Sequence, residues 1–248
     1  MKKVTVLISL CALVLAFAPA ALADWDHPVK WDQLEPITTV PSFSQVGQHI
    51  TADDFLCDET GWITDIEFLG DVYQQIASTS TFLISFWDDV PASASDESHP
   101  GALRQEITVT AAGADGLGWQ MVGDYDPIGT ERKFKINLPQ DDWFLQEAGN
   151  IYWISIQSPT GGFTIMLLAK GEHWGDDAVF KTPTQPAYDH WGWNTSNQLE
   201  RYSGLLPNGW TSADMSFRLT GTAIPEPASI ALVLGGVVVA LLRRRKGA

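Results

Sequence analysis

The hydrophobic residues of this chain recur every second position through most of its length, and that period admits strands and excludes a helical layer. In Trp62-Ile63-Thr64-Asp65-Ile66-Glu67-Phe68-Leu69, positions 62, 66 and 68 are apolar on one face while 65 and 67 put charge on the other. Phe82, Ile84 and Phe86 alternate with Thr81, Leu83, Ser85 and Trp87, and Phe134, Ile136 and Leu138 with Lys133, Lys135 and Asn137. Tyr152, Ile154 and Ile156 repeat the pattern, as do Met215, Phe217 and Leu219. Further strands are expected at His49–Phe55, Leu103–Val109, Phe163–Ala169 and Ala178–Lys181. Turn chemistry separates them, as in Asp58-Glu59-Thr60-Gly61 and Pro159-Thr160-Gly161-Gly162. About ten short strands without helices predict an all-β fold, an antiparallel β-sandwich of jelly-roll type. Residues 24–48, rich in Pro and polar side chains, are expected to be a late-pairing strand or an extended arm.

The two ends differ from this domain. Lys2 and Lys3, an apolar run from Val4 to Phe17 and Ala21-Leu22-Ala23 form a basic, an apolar and a small-residue cleavage region. Residues 1–23 therefore read as a signal peptide handled by the Sec export machinery, cut between Ala23 and Asp24. At the other end, Ile230 to Leu242 is thirteen residues without charge, followed by Arg243-Arg244-Arg245-Lys246. As a helix it covers roughly 20 Å, short of a bilayer core of about 30 Å, and the cations behind it suit a cytoplasmic side. A plain membrane anchor is the alternative to a sorting signal here.

Pro225-Glu226-Pro227, the short apolar segment and the Arg cluster together resemble the PEP-CTERM sorting signal of Gram-negative bacteria, over residues 224–246. The resemblance implies an exosortase as partner, loss of the tail near Pro-Glu-Pro, and delivery of the remainder to the cell surface or extracellular matrix after transient anchoring in the inner membrane. The expected organisation is thus a signal peptide at 1–23, a β-sandwich ectodomain at 24–222 and a sorting segment at 223–248. Ala52-Asp53-Asp54-Phe55, Trp62 to Phe68, Phe82 to Trp87, Phe134 to Leu138, Tyr152 to Ile156 and Asp214 to Gly221 further resemble an uncharacterised ectodomain of PEP-CTERM and planctomycete surface proteins. That likeness implies a sandwich and an extracellular setting and supplies no catalytic residues.

Charge narrows the partners. Residues 24–222 hold nine Lys and Arg against twenty-nine Asp and Glu, a balance of −20. Nucleic acid and anionic lipid surfaces both require a cationic footprint and are excluded as partners. Acidity also serves plain solubility. Once residues 1–23 are removed only Cys57 remains, so no internal disulfide can form; it reads as a small buried hydrophobe.

For chemistry, the Gly-x-Ser-x-Gly, His-Glu-x-x-His and Gly-x-x-x-x-Gly-Lys signatures are missing, and no catalytic residue is nominated. A carboxylate pair for glycoside hydrolysis needs two acids about 5–10 Å apart, which a sequence with so many acids neither names nor forbids. The richest segment is Glu172-His173-Trp174-Gly175-Asp176-Asp177 with Tyr188-Asp189-His190-Trp191-Gly192-Trp193. Trp174, Trp191 and Trp193 are candidates to stack on sugar rings, with Asp176, Asp177 and His190 bonding hydroxyls. The competing reading has these indoles closing the core. The acidic pairs Asp53-Asp54, Asp88-Asp89, Asp141-Asp142 and Asp176-Asp177 leave a structural Ca2+ open, no other cofactor being expected; adjacent acids on a strand face opposite ways, so one of each pair would serve. The leading expectation is a non-enzymatic surface or matrix protein with a structural or adhesive role in exopolysaccharide or biofilm. A carbohydrate-binding module comes second and a glycoside hydrolase third.

Overall fold

A computed structural model of the chain describes residues 27–34, 39–43, 50–72, 80–93, 98–124, 131–158, 163–170, 176, 178–181 and 212–224. They form fourteen strands and one 3-10 turn: β1 (Val29–Asp32), β2 (Thr39–Phe43), β3 (Ile50–Leu56), β4 (Gly61–Val72), β5 (Phe82–Val90), β6 (His99–Val109), β7 (Gly118–Asp124), β8 (Glu131–Asn137), η1 (Gln140–Asp142), β9 (Phe144–Gln146), β10 (Ile151–Gln157), β11 (Phe163–Lys170), β12 (Val179–Lys181), β13 (Ser212–Met215) and β14 (Phe217–Ala223). The fold is all-β, with two antiparallel sheets about one apolar core, the arrangement expected of a β-sandwich.

The five-stranded sheet runs β12-β3-β10-β5-β6. In the nine-stranded sheet, the long β4 organises its neighbours: β14 and then β11 pair with its two halves, as do β9 and β8. β7 lies beyond β8, and β1 beyond β14. The expected arm at 24–48 thus contributes two strands, β1 on β14 and β2 on β11.

The alternation places the core well. Phe82, Ile84, Phe86, Phe134, Ile136, Leu138, Tyr152, Ile154, Ile156, Met215, Phe217 and Leu219 all fall in one buried cluster. Its aromatic rings interlock: Phe68 stacks on Phe134 at 5.1 Å between centroids, Phe86 on Phe144 at 4.2 Å, and Phe82 meets Trp119 edge-on at 5.5 Å. Cys57 is buried in the same cluster, and burial pushes its thiol up to about 12.

One face assignment is corrected. Ile63, not Trp62, joins Ile66 and Phe68 in the core. The register against β14 slips between Thr220, opposite Asp65, and Gly221, opposite Ile63. β4 therefore carries one extra residue, Thr64, and a bulge of this kind reverses the alternation beyond it. Gly221 is what lets the strands close there, since a Cβ at that position would collide with the Trp62 carbonyl oxygen.

A second departure concerns the faces turned away from the core. Strict alternation predicts them wet, yet Asp65 and Glu67 on β4, and Asp54, Ser85, Trp153 and Ser155 on the five-stranded sheet, are all buried. Long neighbouring side chains account for Glu67: Lys133 and Lys135 from β8 and Arg218 from β14 fold over it. The edge strand β6 is interrupted by two register shifts and carries Pro100, Arg104 and Glu106. Such features discourage edge-to-edge pairing with other chains.

Candidate functional site

Of the residues expected to bind a ligand, Asp176 alone lies within the described part. Trp174, Asp177, His190, Trp191 and Trp193 are outside it, as are His173, the Ala23–Asp24 cleavage point and Pro225, Glu226 and Pro227. Asp176 comes to the outer face of the five-stranded sheet, where its backbone N–H donates to Asp54 Oδ1 at 2.9 Å.

That face is built by alternation from β3, β10 and β5. Asp54, Trp153 and Trp87 stand opposite one another across three adjacent strands. Ala52, Trp153 and Val179 form a small buried apolar cluster, with Trp87 packed against it. The Trp153 indole N–H donates to Asp89 Oδ1 at 2.8 Å, and the Ser98 hydroxyl donates to the same oxygen at 2.7 Å. The Trp87 N–H reaches Ser155 Oγ at 3.3 Å.

Three of the four acidic pairs thereby send one member each to a single place: Asp54, Asp89 and Asp176. Burial first, then the charges of Asp176 and Asp89, raise the Asp54 carboxyl to about 7, against the lowering effect of the hydrogen bond from Asp176. Among the described residues no group of three or more His, Cys, Asp or Glu side chains is placed to hold a metal ion. Trp153, fully buried, serves as packing and offers no ring face to a ligand.

Its chain neighbour faces the other way. Asp53 points into the sandwich, where Oδ2 accepts from Gln33 Nε2 at 2.6 Å and from the Met215 N–H at 2.6 Å. Burial, then the charges of Asp214 and Asp54, hold its carboxyl well above the usual range. It ties the residue after β1 and the end of β13 to β3 and is structural.

A second polar assembly, not anticipated as a site, covers the outer face of the nine-stranded sheet. Thr220, Asp65 and Asn137 stand opposite one another on β14, β4 and β8. Asp65 Oδ2 lies 2.7 Å from His27 Nδ1 and accepts from Thr64 Oγ1 at 2.6 Å and Thr220 Oγ1 at 3.2 Å. One step along the strands, Asp32, Arg218, Glu67 and Lys135 continue across four strands with alternating charge. Arg218 Nη2 meets Asp32 at 2.9 Å, and Lys133 and Lys135 each reach Glu67 at 2.6 Å. Burial opposes ionisation of Glu67, but the hydrogen bonds and charges of Lys133 and Lys135 outweigh it and hold the carboxyl below its ordinary value.

Sequence reasoning missed both faces as candidates for one reason. It treated Trp87, Trp153, Asp65 and Asn137 as the solvent side of amphipathic strands, although Trp at such positions was a signal that the second face is also covered.

No curated protein matches the chain. Residues 29–220, well over half of it, match the family described as Domain of unknown function (DUF7901), and the chain belongs to that family.

Proposed function

We propose that this is an exported protein of a Gram-negative bacterium, sorted to the cell surface or extracellular matrix, whose DUF7901 domain has a structural or adhesive role in exopolysaccharide or biofilm. The observation that carries the proposal is the pair of processing signals at the two ends of the sequence. A basic-apolar-small segment ends at Ala23, and Pro225-Glu226-Pro227 precedes an apolar run too short for a comfortable span and a cluster of four cations. In this reading residues 1–23 form the signal peptide, residues 223–248 the PEP-CTERM segment with its short apolar helix, and an exosortase is the processing partner.

The properties of the domain between them support a non-enzymatic role. Its charge of −20 favours dispersion among neutral polymers over anionic ones. Both sheets bury part of their outer faces, and in this reading the strands wind as a jelly roll. A carbohydrate-binding module is the second reading, favoured by the Trp-rich 173–193 segment and by the polar assembly around Asp65.

The test is the intact mass of the protein recovered from the surface of cells expressing the full chain. We expect a species beginning at Asp24 and ending near Pro227, and we expect replacement of Pro225-Glu226-Pro227 by alanines to block its maturation. Surface material that retains Ile230–Leu242 would refute the sorting assignment.

A further inference from the structure

We infer that a groove along the free edge of β6 docks an extended peptide, which joins the five-stranded sheet as a further strand and directs a lysine or arginine side chain to Asp115 and Asp142. The inference names a protein partner, goes beyond the structural or adhesive reading, and does not depend on how the termini are processed.

β6 is the last strand of its sheet, so one of its edges has no strand beside it among the described residues. Just past the end of β6 the Thr110 carbonyl accepts from the Trp119 N–H of β7 at 2.9 Å. Backbone groups two residues apart on a strand point the same way, so Thr108 and Glu106 turn their N–H and C=O groups to that side too, away from β5. A cavity of about 370 Å3 lies along this stretch, and residues 107–110 all line it. Ile107 and Val109 are buried while Thr108 and Thr110 are exposed; a cavity bordered by both faces of a strand runs along the edge that separates them. Four strand residues span about 13 Å, room for a short extended segment. The features that blunt β6 lie elsewhere on it: both register shifts fall between Gln105 and Pro100, while residues 107–109 pair in unbroken register with 84–82.

The lining specifies the occupant. An open strand edge offers alternating donors and acceptors, which an extended main chain satisfies one for one. Leu117 and Pro139, both half-buried, give the cavity an apolar wall, and Asp115 and Asp142 are its charged lining, with no cation among the lining residues. The fold leaves both carboxylates with capacity to spare. Asp115 Oδ1 accepts from the Leu117 N–H at 3.1 Å, which leaves Oδ2 over. Asp142 is held by its main chain, whose N–H donates to the Pro139 carbonyl at 2.8 Å and whose carbonyl accepts from Gln105 Nε2 at 2.9 Å. The aliphatic stem of a lysine or arginine packs on apolar walls and carries its charge to an acidic rim, and the balance of −20 over residues 24–222 draws a cationic segment towards the domain. A second copy of this chain is disfavoured as the occupant, because β6 paired with itself brings Glu106, Asp115 and Asp142 near their own counterparts.

The test is fluorescence anisotropy of the full chain, purified in mild detergent, with three fluorescein-labelled peptides: TVKVT, its acidic counterpart TVEVT, and TVKVT with every backbone amide N-methylated. TVKVT should bind at millimolar protein concentration or below, TVEVT at least tenfold more weakly, and the methylated peptide, which keeps the charge and loses the backbone donors, not at all. Asp142→Asn should weaken TVKVT binding about fivefold, whereas Glu147→Gln, which removes the same charge from an exposed turn, should leave it unchanged. Thr108→Pro removes an edge N–H and should abolish binding; proline is tolerated where that N–H faces away from the ladder, and the peptide series and Asp142→Asn keep the test decisive if this variant misfolds. No binding of TVKVT would overturn the inference, as would equal binding of the methylated peptide or equal weakening by Asp142→Asn and Glu147→Gln. A wild type that dimerises in sedimentation, with the dimer lost in Asp142→Asn or Thr108→Pro, would also overturn it by giving the edge to a second copy.

Discussion

Replacing Asp54 by Asn should stabilise the protein, and by an amount that grows with pH. The Asp54 carboxyl lies on the buried outer face of the five-stranded sheet, beside the charges of Asp176 and Asp89, and its pKa rises from 3.8 to about 7. Every tenfold gain in proton affinity on folding is worth about 1.4 kcal/mol. The folded state keeps a proton there that the unfolded chain releases, so stability falls as pH rises from about 4 towards 7 and is level above that. From the two pKa values the cost is about 2 kcal/mol at pH 5.5 and about 4 kcal/mol at pH 8.5. Asn mimics the neutral acid and keeps an oxygen for the Asp176 N–H. The advantage of Asp54→Asn over wild type should therefore widen by about 2 kcal/mol between pH 5.5 and 8.5. Urea denaturation at the two pH values, above the range where so acidic a chain loses its net charge, measures the difference directly. A gap that stayed constant, or narrowed with rising pH, would refute the assignment of Asp54 as a carboxyl strained by burial. If millimolar Ca2+ closed the gap while EDTA restored it, Asp54 would instead belong to a cation site, with Asp89 and Asp176 as its neighbours.

The remaining predictions concern packing and charge. Phe134→Ala removes a ring stacked on Phe68 and should cost about 3–5 kcal/mol. Lys135→Ala, which leaves Glu67 still paired with Lys133 and Arg218, should cost no more than about 1 kcal/mol; equal losses in denaturant titrations would mean the strand faces are wrongly assigned. Gly221→Ala places a methyl group against the Trp62 carbonyl and should lower the melting temperature by several degrees; an unchanged melting temperature would count against the bulge at Thr64. Glu67 supplies the opposite pH dependence to Asp54. Its lowered pKa gives stability that is full above its unfolded value and lost as pH falls through the folded one, so Glu67→Gln should flatten the acid limb of the stability profile.

Much of the fold is a local property of the sequence. Side-chain direction alternates along any extended chain, so Phe82, Ile84 and Phe86, or Phe134, Ile136 and Leu138, declare a shared face before their partners are known. The signals proposed for the termini would be equally local, because processing enzymes read short unfolded segments. The tertiary structure decided what depends on pairing. An extra residue in β4 opposite Gly221 turned Ile63 inward and Trp62 outward, and bulges arise from the register between strands, which neither strand encodes alone. The fate of the outer faces was settled in the same way. Asp54, Asp65 and Asn137 look like solvent-side residues in the sequence, and they are buried because Asp176, His27, Thr220 and their neighbours arrive from positions distant in the chain. Burial and mutual charge then set how these groups ionise and bond, and both are properties of the assembled sheets.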